Sequence, residues 1–149
     1  PPRSTLFPYT TLFRSKAQNT ALIPTLSLFT TVVLDPNVTK QLVAATVNQL
    51  KQFSENGGPV LFGTDVGFTK LYDTTQEFQL MHRALSERQV LASLTTNPAR
   101  FFKAARKGKV EQGFDADLVV LDGDPLSDVA NLAKVSTTIR AGHVIYQKP

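Results

Sequence analysis

With 149 residues, 42% hydrophobic and 19% charged, the chain has the composition of an ordinary globular domain, neither low-complexity nor fibrous. It contains no cysteine, which excludes disulfides, thiolate zinc sites and a cysteine nucleophile while leaving cytoplasm and periplasm equally open. The net charge of +4 points to an acidic partner only until its source is located, because Arg3 and Arg14 lie in an opening run without a single acidic residue.

That run, PPRSTLFPYTTLFRS, repeats TLF six positions apart and has neither helical nor strand periodicity. It reads like the translation of a sequencing adapter joined to a truncated frame, so residues 1–15 are expected to form a non-native or disordered tail. The alternative is a genuine flexible tail, with a signal peptide a poor third, because no continuous apolar stretch with a small-residue cleavage site follows. Without the tail, fourteen basic residues face twelve acidic ones, too small an excess for a broad positive field.

Ala21 to Ile23 is a short apolar run ended by Pro24, as at a strand end or edge, and Thr25 to Thr31 leads outward. Asp35-Pro36 supplies an N-cap and a preset first helical position. Val38, Leu42, Val43, Thr46, Val47, Leu50 and Phe53 then follow at three- and four-residue spacing, which predicts an amphipathic helix stopped at Gly57-Gly58. Val60 to Gly63 reads as a strand covered on both faces, as in a parallel sheet. Thr64-Asp65-Val66-Gly67 turns out of it. Phe78, Met81 and Leu85 mark the next helix, and Ser86-Glu87-Arg88-Gln89 is a capping-box pattern for a further one. Asn97-Pro98 caps a last helix, expected to run to Gly108. From Lys109 the period becomes strand-like: Asp117 to Leu121 as a buried-type strand, a turn at Asp122-Gly123-Asp124-Pro125, and a hairpin from Val135 to Gln147 through Ala141-Gly142. No apolar stretch approaches the ~20 residues of a membrane span, so no membrane partner is expected.

In such a β–α–β order, function gathers at the C-terminal ends of the strands, which is where Asp65 stands. A carboxylate there can ligate a divalent metal or take a proton from an activated water; equally, a turn aspartate can bond nearby backbone amides. His82 and His143 share no metal-ligand spacing with it, and a zinc site needs about three or four protein ligands. The basic run from Arg100 to Lys109 places Phe101, Phe102 and Ala105 on a packing face and its cations at a helix C-terminus, which argues against nucleic acid as a partner.

Taken in order, GGPVLFGTDVG, VLASLTTNPARFF, GKVEQGFDADLVVLDGDPLSDVANL and VSTTIRAGHVIY resemble the C-terminal part of imidazolonepropionase-like metal-dependent amidohydrolases over about residues 20 to 148. The resemblance implies an α/β fold: the last two strands and following helices of a (β/α)8 barrel over 16–108, then the C-terminal strands of a small composite β-sandwich over 109–149. It implies that Asp65 is the strand-eight aspartate, serving as metal ligand and catalytic proton acceptor, with one or two divalent ions, zinc, in the complete enzyme and none in this chain. The implied substrate is a small amide, cyclic amide or dipeptide. The family's paired histidines and other ligands would precede residue 16, and Ala84-Leu85-Ser86 stands where glycine commonly separates two helices. With most barrel strands missing, Val43, Val47, Leu50, Phe78 and Met81 are expected to be exposed and to make the chain homo-oligomerise or bind hydrophobic dyes. The competing expectation is a self-standing, non-catalytic α/β module for protein association.

Overall fold

The computed structural model describes residues 20–149 other than 34, 69 and 71; the expectation about residues 1–15 lies outside them. The two apolar segments expected as barrel strands meet, but only as a single parallel bridge between Leu22 and Val60. The Leu22 amide donates to the Pro59 carbonyl at 3.0 Å and the Leu61 amide to the Leu22 carbonyl at 2.9 Å. Continued ladders need continued partners, and here the strand path is soon diverted: the Phe62 amide donates to the Ser93 carbonyl and Asn97 Nδ2 to the Val60 carbonyl, each from the helical layer.

Beyond Ile23 the chain does not simply lead outward. It forms a 3-10 turn at Leu26–Leu28 and a short helix α1 at Phe29–Val32. Helix α2, Pro36–Glu55, starts as its sequence requires, with Asp35 Oδ1 accepting the Asn37 and Val38 amides. It ends in a Schellman motif: the Gly58 amide reaches back to the Phe53 carbonyl and the Gly57 amide to the Ser54 carbonyl, with Gly57 at φ 76°, a conformation glycine adopts without a Cβ clash. Two more helices follow, α3 at Thr75–His82 and α4 at Glu87–Leu94, the latter opened by the expected capping box of Ser86 and Gln89.

Helix α5, Thr96–Phe101, departs from expectation at both ends. Thr95, not Asn97, precedes it, because the Asn97 amide is engaged with Val60 instead. It stops well before Gly108. Lys103 takes a left-handed φ of 56°, and the Ala104 amide bonds the Ala99 carbonyl while the Lys103 amide bonds that of Arg100, a Schellman stop with lysine where glycine usually stands. Phe102 and Ala105 are consequently exposed rather than on a packing face; only Phe101 is half-buried.

Strands β1, Leu118–Leu121, β2, Val135–Arg140, and β3, His143–Gln147, form an antiparallel sheet in that order. Ala141 and Gly142, both at positive φ, make the two-residue connection expected between β2 and β3, and two successive left-handed residues match the strands' twist. β1 is not buried as its composition suggests: Val119 and Val120 are exposed, since the sheet has one neighbour strand for β1 and no covering layer among the described residues.

The expected exposure of the helix faces is also overturned. Val43, Val47, Leu50, Phe78 and Met81 are all buried, together with Leu26, Phe53, Val60, Leu85, Val90 and Val129. The reason is that α3 packs over the turn at Leu26–Leu28 on one side and over the 3-10 segment Val129–Ala133 on the other, so the helices are covered by segments on both sides of them in the chain. Phe62 stacks on Phe78 with ring centroids 4.7 Å apart, joining the strand segment to that core.

Candidate functional site

The chain leaves the Val60 segment through Gly63, Thr64 and Asp65. Gly63 is there because nothing larger fits: a Cβ at this position would lie 2.5 Å from Ile23 Cγ2, with Thr25 Cγ2 at 3.9 Å. The loops following the two bridged segments therefore touch immediately before Asp65. Both are left-handed at the critical residue, Thr25 at φ 43° and Asp65 at φ 57°. Aspartate tolerates that region with little strain, whereas a β-branched threonine is an outlier that the surroundings must impose.

Asp65 is exposed, and its main chain closes the turn, its carbonyl accepting the Phe68 amide at 3.2 Å. Among the described residues its carboxylate takes no hydrogen bond. Other turn aspartates behave differently: Asp35, Asp73, Asp124 and Asp128 each accept the amide two residues ahead at 2.8–2.9 Å. For Asp73, the Thr75 side chain first and then the Thr75 amide hold the carboxyl below its ordinary value. Among the described residues, then, nothing occupies the Asp65 carboxylate.

The two amides that follow the left-handed Thr25 are held by a residue that sequence reasoning passed over. Glu77, fully buried on α3, accepts the Leu26 amide at Oε1 (2.8 Å) and the Ser27 amide at Oε2 (2.6 Å). Its neighbour Gln76 accepts the Thr30 hydroxyl at 3.1 Å. One signal could have found it: Glu77 lies four residues before Met81 and so shares the apolar face of its helix.

The histidines are not brought to Asp65. His82 Nδ1 lies 3.1 Å from the Leu85 carbonyl and Nε2 3.6 Å from Glu87, while His143 pairs with Arg140 at the hairpin end. Among the described residues no three His, Cys, Asp or Glu side chains group to hold a metal ion. A cleft of about 220 Å³ beside the strand segment is lined mainly by Ile23, Leu61, Phe62, Leu94, Pro98 and Phe102, an apolar set without a titratable group.

The basic run beyond α5 is spent on ion pairs. Arg106 meets Asp115 at 2.6 Å, and Lys107 bonds both Asp115, at 3.2 Å, and Asp117. The Asp117 carboxylate also accepts the Ala141 amide at 2.8 Å. Lys107 first, then that amide, holds the Asp117 carboxyl below its ordinary value; Asp117 and Asp115 raise the Lys107 ammonium. Among the described residues no helix is long and apolar enough to cross a membrane.

Comparison with known proteins agrees with this arrangement. The chain is 30% identical over 105 residues to the imidazolonepropionase of Thermoplasma acidophilum, a match covering 66% of this chain and 26% of that protein. It superposes on a Xaa-Pro dipeptidase solved with methionine in its active site, with TM-score 0.78, 22% identity, and 97% of this chain covered against 39% of that one. An amidohydrolase from Thermotoga maritima gives TM-score 0.68 at 24% identity, covering 94% of this chain and 35% of that one. The chain thus spans about a quarter of the curated relative's length and little more than a third of these solved structures. The amidohydrolase family model matches residues 15–145, and the chain belongs to the amidohydrolase family.

Proposed function

We propose that residues 16–108 are the last two strands and following helices of an amidohydrolase (β/α)8 barrel, that residues 109–149 are strands of its accompanying β-sandwich, and that residues 1–15 are a tail outside the fold. In this reading the complete protein hydrolyses C–N bonds of a small amide, cyclic amide or dipeptide. Support comes from the parallel Leu22–Val60 bridge around helix α2, from the family match, and from the names of the similar proteins, an imidazolonepropionase and a Xaa-Pro dipeptidase. The observation that carries it is the uncommitted Asp65 carboxylate at the C-terminal end of a strand segment, the place where βα folds hold their chemistry.

Asp65 is the residue proposed to work there, holding and removing a proton from the attacking water. A divalent cation such as zinc would polarise the carbonyl and acidify that water. The described residues do not fit such an ion by themselves: Asp65 is one donor where about three or four are needed. The test is hydrolysis of a panel of small amides and dipeptides by the complete polypeptide. Asp65→Asn should lower kcat by about 10²–10⁴-fold, the range for losing a positioned acid–base group, with an unchanged circular dichroism spectrum. Equal turnover by variant and parent would remove Asp65 from the mechanism.

A second reading, a self-standing module for protein association, draws on the closed helical core and the open sheet with Val144 and Ile145 exposed. A complete polypeptide that hydrolyses no member of the panel would favour it.

A further inference from the structure

Glu77 is the one fully buried charged side chain among the described residues, and the proposed chemistry does not use it. A buried carboxylate is costly unless its oxygens are bonded. Here each oxygen takes one backbone amide, both from consecutive residues, Leu26 and Ser27, that directly follow the left-handed Thr25. The carboxylate therefore specifies the course of this loop rather than adding general packing, since an apolar side chain could fill the same volume without directing two amides.

The loop so fixed leans on the Asp65 turn. Ile23 lies close enough to Gly63 to forbid a side chain there, with Thr25 in ordinary van der Waals reach of the same position, and Asp65 follows two residues later. On its far side the Asp65 loop leads into α3, the helix that carries Glu77. Both flanks of the Asp65 loop are thus tied together by the same two hydrogen bonds. We propose that Glu77 is a positioning residue for Asp65: through the Leu26 and Ser27 amides it holds Thr25 against Gly63 and so sets where the Asp65 carboxylate stands. This rests on the reading of Asp65 as the working carboxylate, but its test needs no turnover, so the two can fail separately.

The test is amide hydrogen exchange and NMR chemical shifts of the Asp65 backbone and side-chain carboxyl in the full chain at neutral pH, comparing the parent with Glu77→Gln and Glu77→Asp. Glutamine keeps the volume but presents an NH₂ to one of the two amides; aspartate keeps both acceptors on a shorter stem. With Glu77→Gln, exchange at Leu26, Ser27 and Phe68 should accelerate by about tenfold or more, as in a local opening, while amides inside α2 change less than about threefold. The Asp65 backbone and side-chain carboxyl chemical shifts at neutral pH should move, and Glu77→Asp should bring both readouts part of the way back. If α2 and the loops accelerate by one common factor, Glu77 is only a core residue. Faster exchange at Leu26 and Ser27 with Phe68 and the Asp65 chemical shifts unmoved would equally overturn the proposal. Should the glutamine variant not fold, Glu77→Asp carries the same comparison, and the same patterns decide it.

Discussion

Which oxygen closes the turn separates Asp65 from Asp35, whose carboxylate caps α2. Asp35→Ala should cost about 0.5–2 kcal/mol, the usual range for a lost N-cap. Asp65→Asn should stay within about 0.5 kcal/mol, as for a surface change that breaks no special contact. Urea denaturation of the two variants checks this, and a large loss at Asp65 would make it a structural turn residue. Asp117 offers a pH-dependent counterpart. Because its folded pKa lies below the ordinary 3.8, the unfolded chain takes up the proton first as pH falls. Its contribution is whole above that ordinary value and is lost as pH drops through the folded one. Lys107 has the opposite sign: raised above 10.5, it contributes below that value and stops as pH rises through its folded pKa. Asp117→Asn should therefore lower the melting temperature at neutral pH, with the gap to the parent closing in acid, below the ordinary carboxylate range. A gap that is the same at both pH values would mean that the charge is irrelevant to the hairpin.

How legible each element was depended on how local its determinants are. Helix α2 and the capping box of α4 follow from residues within four positions of one another, and so does the Ala141-Gly142 turn. The end of α5 was read wrongly because Gly108 looked like the natural stop, whereas the stop is Lys103, an ordinary residue held left-handed by the two hydrogen bonds of the motif. Left-handed backbone costs a non-glycine residue about 1–2 kcal/mol. Lys103→Gly should accordingly stabilise the chain, by on the order of 1 kcal/mol less part of glycine's own entropic cost, measured as an upward shift in the thermal midpoint. Glu77 escaped for the converse reason: its partners are 51 and 50 residues away, and a glutamate in a helix is ordinarily solvated. Asp65 was legible as a position in the fold, while the loop contacts that bracket it at Gly63 and Thr25 were not, being made by side chains that no periodicity orders.

Across the whole molecule, the helical core is closed where exposure was expected, and the sheet is open where burial was expected. Leu50 and Met81 are almost wholly inaccessible, so Leu50→Ala should cost about 2–5 kcal/mol, the range for emptying a packed site. Calorimetric unfolding would show it as a clear drop in midpoint; no drop would mean the core is loosely assembled. The sheet, by contrast, leaves Val119, Val120, Val144, Ile145 and Tyr146 exposed, with β1 and β3 at its edges among the described residues, and hydrophobic edge strands promote association. If the chain self-associates, Ile145→Lys should weaken concentration-dependent light scattering while Val47→Ala leaves its mode unchanged; the reverse pattern would place the sticky surface on the helices. The bonds of Glu77 have a consequence in time as well as in place. The β2–β3 hairpin can close in about 1–10 μs, but Glu77 must shed its water when a turn some fifty residues upstream arrives. A chain that collapses with another segment over α3 buries a carboxylate without acceptable donors, a penalty of several kcal/mol. That penalty disfavours misdocked compact states relative to the native one, so the carboxylate discriminates the native docking of this turn from its alternatives.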